Sequence, residues 1–309
     1  MNRLQEEILY IYKRVLSIIE REGYNYFAIG GTAIGAIRHQ GFIPWDDDLD
    51  IAMPIEDFMA FRAAAPALLP EGLALFDSTT CESFEHLFLK IENTNTTCIE
   101  ASALLDRKRM TGAWIDIMPL AGIPSSFAEQ VRFFRDMEGF FLNNKIRRQS
   151  NLSRLGGRAS LRALFGGKSI MKRPMSYYSD LAMNKLSSYP LRKASLTGYT
   201  WSVPGKAWAI KVLGRKVTSR SFLRRAGSYD MEDLLFPAEW FSDYVEVPFE
   251  DTSIRMPVGW HEYLTMQFGD YMVPPKTTER VSHGCYVDLD HPVDDYREGL
   301  REIPAGYWA

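Results

Sequence analysis

The chain has 309 residues, 46% hydrophobic and 24% charged, with a net charge of −3, the profile of a soluble globular protein with one large or two small domains. Three cysteines, Cys81, Cys98 and Cys285, with no CxxC pair, exclude a disulfide framework and a zinc site of paired cysteines, and imply inert thiols in a reducing compartment. No apolar run approaches the ~18–20 residues of a spanning helix, and Glu6, Glu7, Lys13 and Arg14 break up any signal-peptide core, so a cytoplasmic protein is expected.

Leu4, Ile8, Ile11, Val15 and Ile18 recur at helical spacing, which predicts an amphipathic helix over 3–22, ended by Gly23. Tyr24 to Ile29 reads as a strand. Gly30-Gly31 reads as a turn, and Thr32 as the cap of a helix from Ala33 to Arg38. A turn over Gly41 to Trp45 leads to a second strand, Asp48 to Met53, and then to a helix from Ile55 to Leu69 that stops near Pro70. Phe84 to Ile91, Thr97 to Ser102 and Gly112 to Pro119 read as strands, followed by a helix from Ser126 to about Asn143. From Lys145 to Arg225 the chain carries nineteen lysines and arginines against the single acid Asp180, a net +18 that leaves −21 for the rest. After Tyr229 come a strand-like segment, VEVPFEDTSIRMPV, and a helix from Gly259 to Phe268.

These elements predict an α+β fold, a small mixed sheet flanked by helices. The expected organisation is a catalytic core from 1–142 and 229–309, interrupted by a basic, mainly helical insertion at 143–228. A +18 segment predicts an anionic partner. No nucleic-acid-binding motif occurs in it, so nucleic acid is not expected. Leu155, Leu161, Leu164, Phe165, Ile170 and Met171 alternate with basic residues, which suits the surface of an anionic membrane, although Gly156-Gly157 and Gly166-Gly167 break the run into short pieces. An anionic glycan suits the same charge.

The chemistry is concentrated in IPWDDDLDI. In an extended strand Asp46, Asp48 and Asp50 share a face and Asp47 takes the other. Three like charges on one face repel unless a cation neutralises them, and hard carboxylate oxygens suit magnesium or manganese. The bland alternative is an acidic surface turn; Ile43, Trp45, Leu49 and Ile51 around the cluster speak against it. Gly30, Gly31 and Thr32 lie between a strand and a helix, where backbone amides can meet a phosphate. Arg38 and His39 at the far end of that helix, and Lys90, are candidate phosphate contacts. Arg38 and His39 could equally complement the helix dipole, and Lys90 could be an ordinary solvated lysine. Asp116, alone in Trp114-Ile115-Asp116-Ile117-Met118, requires a metal or a basic partner, because an unpaired buried carboxylate is costly.

IGGTAIGAIRHQGFIPWDDDLDIAM, then Lys90, then WIDIMPLAGIP, then PVGWHEYLTMQFGDYMVPP followed by His283 resemble the LicD/fukutin family of phosphotransferases. The resemblance covers residues 1–125 and 245–285 and leaves the basic middle aside. It implies a nucleotidyltransferase-like core in which Asp48 and Asp50 form the DxD pair, Asp46 a further acidic position and Asp116 the third carboxylate. It also brings His283 in as a donor contact. The implied reaction moves phosphocholine, or a phospho-alcohol such as ribitol phosphate, from a CDP-linked donor, CDP-choline foremost, to a glycan hydroxyl, with Mg2+ or Mn2+ as cofactor. The setting it implies is cell-surface polysaccharide or teichoic acid synthesis; the basic middle, apart from the resemblance, adds the expectation of a glycan acceptor, lipid-linked or not, at the inner face of the cytoplasmic membrane. Three alternatives stay open: a nucleotidyltransferase moving NMP from an NTP to a small molecule, a DxD glycosyltransferase, and a non-catalytic membrane-surface scaffold.

Overall fold

The computed structural model describes residues 1–84, 86–104, 106–124, 174–191, 235–277 and 284–304, with three short strands and a few single residues beyond these. The first helix, α1 (Arg3–Glu22), occupies the expected span. It starts at a capping box in which the Asn2 side chain accepts from Gln5 N–H and the Gln5 side chain accepts from Asn2 N–H, and it ends at Gly23 in the left-handed conformation. Ile8, Ile11, Tyr12, Val15 and Ile19 on one face are buried in the main core against the sheet.

The main sheet runs β1 (Phe27–Ala28), β2 (Asp50–Pro54), β5 (Thr111–Gly122), β4 (Leu89–Ile99) and β12 (Tyr286–Asp288). β3 (Leu73–Phe76) joins it on β4, and β6 (Leu196–Tyr199) on β5, with β9 (Leu235–Pro237) beyond. β2 and β5 are parallel and the other pairs antiparallel, so the sheet is mixed and the fold α+β, as expected. The helices α2 (Gly30–His39), α3 (Ile55–Leu68), α4 (Met175–Ser187), α5 (Trp260–Phe268) and α6 (Val293–Arg297) complete it, with the hairpin β10 (Tyr244–Phe249) and β11 (Thr252–Pro257). Within 143–228 the described parts are α4, β6 and a hairpin of β7 (Ala209–Val212) and β8 (Arg215–Thr218); through β6 this basic region supplies a strand to the core sheet. Most of the Ser126–Asn143 helix and all of the 155–171 apolar-basic run lie outside the described residues.

Several boundaries differ from the sequence reading. Tyr24 to Ile29 contributes only the two-residue β1. The two strands expected at 84–91 and 97–102 are one eleven-residue strand, β4, whose register shifts between Asn93 and Cys98. The polar ENTNTT stretch hides this continuity, because Thr96 Oγ1 and Asn93 Oδ1 bond locally to backbone at the irregularity. Strand β3 gave no clear signal in the sequence.

The C-terminal hairpin is locked to α1 by a chain of hydrogen bonds. Arg255 N–H donates to Tyr26 Oη at 3.3 Å, the two tyrosine hydroxyls meet at 2.7 Å, and Tyr12 Oη donates to Ser253 O at 2.8 Å. Because Tyr12 gives its proton to the carbonyl, Tyr26 is the donor between the rings. Tyr12→Phe leaves that carbonyl and the Tyr26 proton without partners. Urea denaturation is expected to show a loss of about 1–3 kcal/mol; an unchanged midpoint would mean the chain of bonds contributes nothing to stability.

Candidate active site

The site is built where β1, α2, β2 and β5 meet. Glycines 30 and 31 do not form a turn ahead of a Thr32 cap. The helix begins at Gly30, its N-cap is Ile29, and Thr32 lies inside the first turn. Thr32 acts instead as an anchor: its Oγ1 accepts from Asp50 N–H at 2.8 Å, fixing the start of β2 to α2. The glycines make room for carboxylates. A Cβ on Gly31 would meet Asp46 Oδ2 at 2.6 Å; Gly30 has φ +57, and a Cβ there would lie 3.3 Å from Asp50 Oδ2. Gly30 N–H donates to the hydroxyl of buried Tyr263, on α5, at 3.2 Å.

Of the four clustered aspartates only Asp50 belongs to a strand. Asp46, Asp47 and Asp48 lie in the preceding loop, so the expected strand face of Asp46, Asp48 and Asp50 does not form. The loop opens with a turn closed by Asp46 N–H on Ile43 O at 2.9 Å, with Pro44 at its second position. It closes where Asp116 N–H donates to Leu49 O at 2.9 Å. Asp50 pairs with Asp116 across the parallel β2–β5 register, and Asp116 pairs with Lys90 across β5–β4. The three side chains therefore leave one face of the sheet side by side.

Lys90 is 3% exposed. Its Nζ stands 3.4 Å from Asp116 Oδ1 and 4.0 Å from Glu100 Oε2, and 3.7 Å from the centre of the Trp114 ring. Lys90 is therefore not a solvated lysine: buried on the sheet face, it is the basic partner that Asp116 requires. Burial pushes the Asp116 carboxyl up to about 6, Lys90 pulls against this, and the negative charge of Asp48 adds to it. The folded protein therefore takes up a proton here at a pH where the unfolded chain, near 3.8, does not. Stability of the metal-free protein is expected to rise as pH falls through about 6 toward 4, and Asp116→Asn should remove that rise. Urea midpoints across this range test it; an identical pH slope in the variant would overturn it.

Arg38 and His39 end α2 as expected. Arg38 donates to Tyr271 O at 2.8 Å and through Nε to His39 Nε2 at 3.0 Å, and Tyr271 Oη meets His261 Nδ1 at 2.8 Å. Burial lowers the pKa of both Arg38 and His39. Arg38 thus ties α2 to the loop after α5. His283 lies outside the described residues. Sequence reasoning missed Trp114, Glu100 and the Tyr263–Gly30 contact. Trp114 stands two residues from Asp116 on the same strand face, which is a legible signal; Tyr263 lies 233 residues from Gly30 and leaves none.

The expected four-aspartate metal set is not assembled: among the described residues no group of three or more Asp, Glu, His or Cys side chains is arranged to hold a metal ion. The donor set nevertheless suits magnesium. Asp50 and Asp116 present hard oxygens from adjacent strands, and Asp116 Oδ1 is buried and accepts no hydrogen bond. Magnesium takes one or two protein carboxylates and fills its shell with water and substrate phosphate.

A mixed sheet that aligns carboxylates beside a glycine-started helix is consistent with a nucleotidyltransferase-like core. Residues 23–133 match the LicD/FKTN/FKRP nucleotidyltransferase domain. Over 280 residues it is 25% identical to the lipopolysaccharide cholinephosphotransferase LicD of Haemophilus influenzae, covering 86% of this chain and 89% of that protein. It is 39% identical over 56 residues to an uncharacterized protein of Rickettsia typhi, 18% of each chain. It is also 42% identical over 43 residues to the human ribitol 5-phosphate transferase FKRP, 14% of this chain and 9% of that one.

Proposed function

We propose that this enzyme moves phosphocholine, or a related phospho-alcohol such as ribitol phosphate, from a CDP-linked donor onto a glycan hydroxyl in the synthesis of a cell-surface polysaccharide. The observation that carries the reading is the in-register pair of Asp50 and Asp116 on one sheet face, with the Asp46–Asp48 loop beside the first turn of α2. The LicD relative, matched along most of both chains, supports phosphocholine as the cargo; the FKRP match, confined to 43 residues, supports the wider class.

In this reading Asp50 and Asp116 would hold Mg2+ or Mn2+ together with the donor phosphates, with Asp48 on the adjoining loop adding negative charge. The ion, when bound, supplies positive charge to the leaving CMP. The protein's own part is positioning and electrostatics. Backbone amides in the first turn of α2, at Gly31 and Thr32, face the donor's phosphates. Asp116, its side chain fixed by Lys90, can take the proton of the attacking hydroxyl. Lys90 acts through Asp116.

We place the enzyme in the cytoplasm, peripheral on the inner face of the membrane. Among the described residues no helix is long and apolar enough to cross a membrane, and the +18 segment suits an anionic surface or an anionic acceptor.

Calorimetry tests the donor, with magnesium present and then chelated, across CDP-choline, CDP-ribitol, CDP-glycerol, an NTP and a UDP-sugar. Magnesium-dependent binding of one CDP-alcohol is expected. Preference for the NTP would establish nucleotidyl transfer by the same carboxylates, and preference for the UDP-sugar glycosyl transfer.

A further inference from the structure

The loop that carries Asp46, Asp47 and Asp48 is held from a direction the reaction does not suggest. Gln5, in the first turn of α1, is 2% exposed. Its Nε2 donates to Ile43 O at 3.1 Å and to Asp46 O at 2.9 Å, the first and last residues of the turn that opens the loop. Its Oε1 accepts from Asn2 N–H at 3.1 Å in the capping box. All the side chain's polar atoms are therefore engaged, and the two amide protons bridge the ends of one four-residue turn.

Gln5 thus grips the opening turn of the loop. At the other end the loop is tied where Asp116 N–H donates to Leu49 O and Asp50 N–H to the Thr32 hydroxyl. Between these anchors stand Asp47 and Asp48. Losing the Gln5 donors would leave Ile43 O with only the turn's own bond from Asp46 N–H, remove the side-chain bond to Asp46 O, and let the turn move relative to β2, and with it the distance from Asp48 to Asp116. A displacement on the order of 1 Å at a reacting centre costs roughly 100-fold in rate.

We propose that Gln5 is a positioning residue for transfer: its carboxamide clamps the Ile43–Asp46 turn so that the acidic loop meets the donor in one geometry. The proposal rests on the reading of the site as a phosphotransferase centre.

The capping box allows the clamp to be separated from helix stability. Glutamate at this position still accepts from Asn2 N–H, and an acidic residue in the first turn favours the helix, but it has no proton for the two carbonyls. Gln5→Glu sets a buried carboxylate against two carbonyl oxygens, so it is expected to lower the melting temperature as well as kcat, the latter about 100-fold, with a smaller change in KM for the CDP-alcohol. Gln5→Met, which removes the donors without adding charge, should lose kcat to the same extent. Asn2→Ala breaks the cap and spares the clamp, so it should lower the melting temperature and retain kcat well below it. Hydrogen exchange of the amides at 43–49 should rise in both Gln5 variants and not in Asn2→Ala. Retained kcat in Gln5→Glu and Gln5→Met, or an equal loss of kcat in Asn2→Ala, would overturn the proposal. If the unaltered enzyme transfers nothing from any CDP-alcohol, the phosphotransfer reading fails on its own. Exchange then decides for the clamp: faster exchange at 43–49 in the Gln5 variants supports it, unchanged exchange overturns it.

Discussion

Asp50→Asn is expected to abolish transfer, by at least about 1,000-fold in kcat, without unfolding the protein. Asp50 opens β2 with its N–H bonded to Thr32 and its Cα in register with Asp116. Asparagine keeps the shape of the side chain and all of these backbone bonds. What it removes is one of the carboxylates crowded on this face, where the charge of Asp48 already adds to the raised pKa of Asp116. The variant should therefore be as stable as the unaltered protein, or more stable, when both are measured in a chelator. It should also lose the stabilisation that magnesium and donor together confer, since a ligand stabilises only the state that binds it. Thermal melts with and without magnesium and CDP-choline, alongside the transfer assay, test these points together. Retained transfer in a folded Asp50→Asn protein would defeat the assignment of the site. Lost transfer with an undiminished response to magnesium and donor would place Asp50 in the chemistry and not in binding.

The parts of this site that were legible in the sequence are those whose cause is local. Helix α1 shows itself by apolar spacing and Gly23, and β5 by an apolar run broken once at Asp116. Asp116's need for a basic partner is legible too, because a lone carboxylate in such a run must be compensated. The identity of that partner is not: Lys90 meets Asp116 only through the β4–β5 register, which the ENTNTT stretch obscures. The placement of the acidic loop fails for a related reason. Alternation predicts a strand from Asp48, yet the Ile43–Asp46 turn and its grip by Gln5 keep residues 46–48 off the sheet. Thr32 was a sound choice as a helix-cap residue; tertiary contact with Asp50 takes its hydroxyl instead.

The same limit applies with greater force to the link between Glu92 and Arg297, 205 residues apart. Glu92 lies inside β4, its side chain 3% exposed, and receives two bonds from Arg297 Nη2 at 2.8 and 3.0 Å and one from Gly112 N–H at 2.9 Å. Arg297, on α6, also donates to Met110 O and Asp294. The pair fastens the C-terminal helix to β4, an inner strand of the catalytic sheet. Arg297→Ala leaves a buried carboxylate without its counter-charge, and the expected cost is about 3–5 kcal/mol, a large part of a typical domain's stability. The loss should depend on pH. Burial already raises the Glu92 pKa against the pull of Arg297, and without the arginine it rises further. A carboxyl whose folded pKa lies above its unfolded value stabilises the fold only while protonated, so stability is lost as pH rises through the folded pKa. The deficit of Arg297→Ala should therefore be smaller at an acid pH, where Glu92 is protonated, than at an alkaline pH, where it is charged. In the double variant Glu92→Gln/Arg297→Met, with no charge left at this pair, most of the stability should return and the pH dependence of the deficit should vanish. Urea denaturation of the three proteins at both pH values measures this. A deficit independent of pH, unrelieved in the double variant, would mean that α6 is held by the packing of the arginine stem and not by its charge.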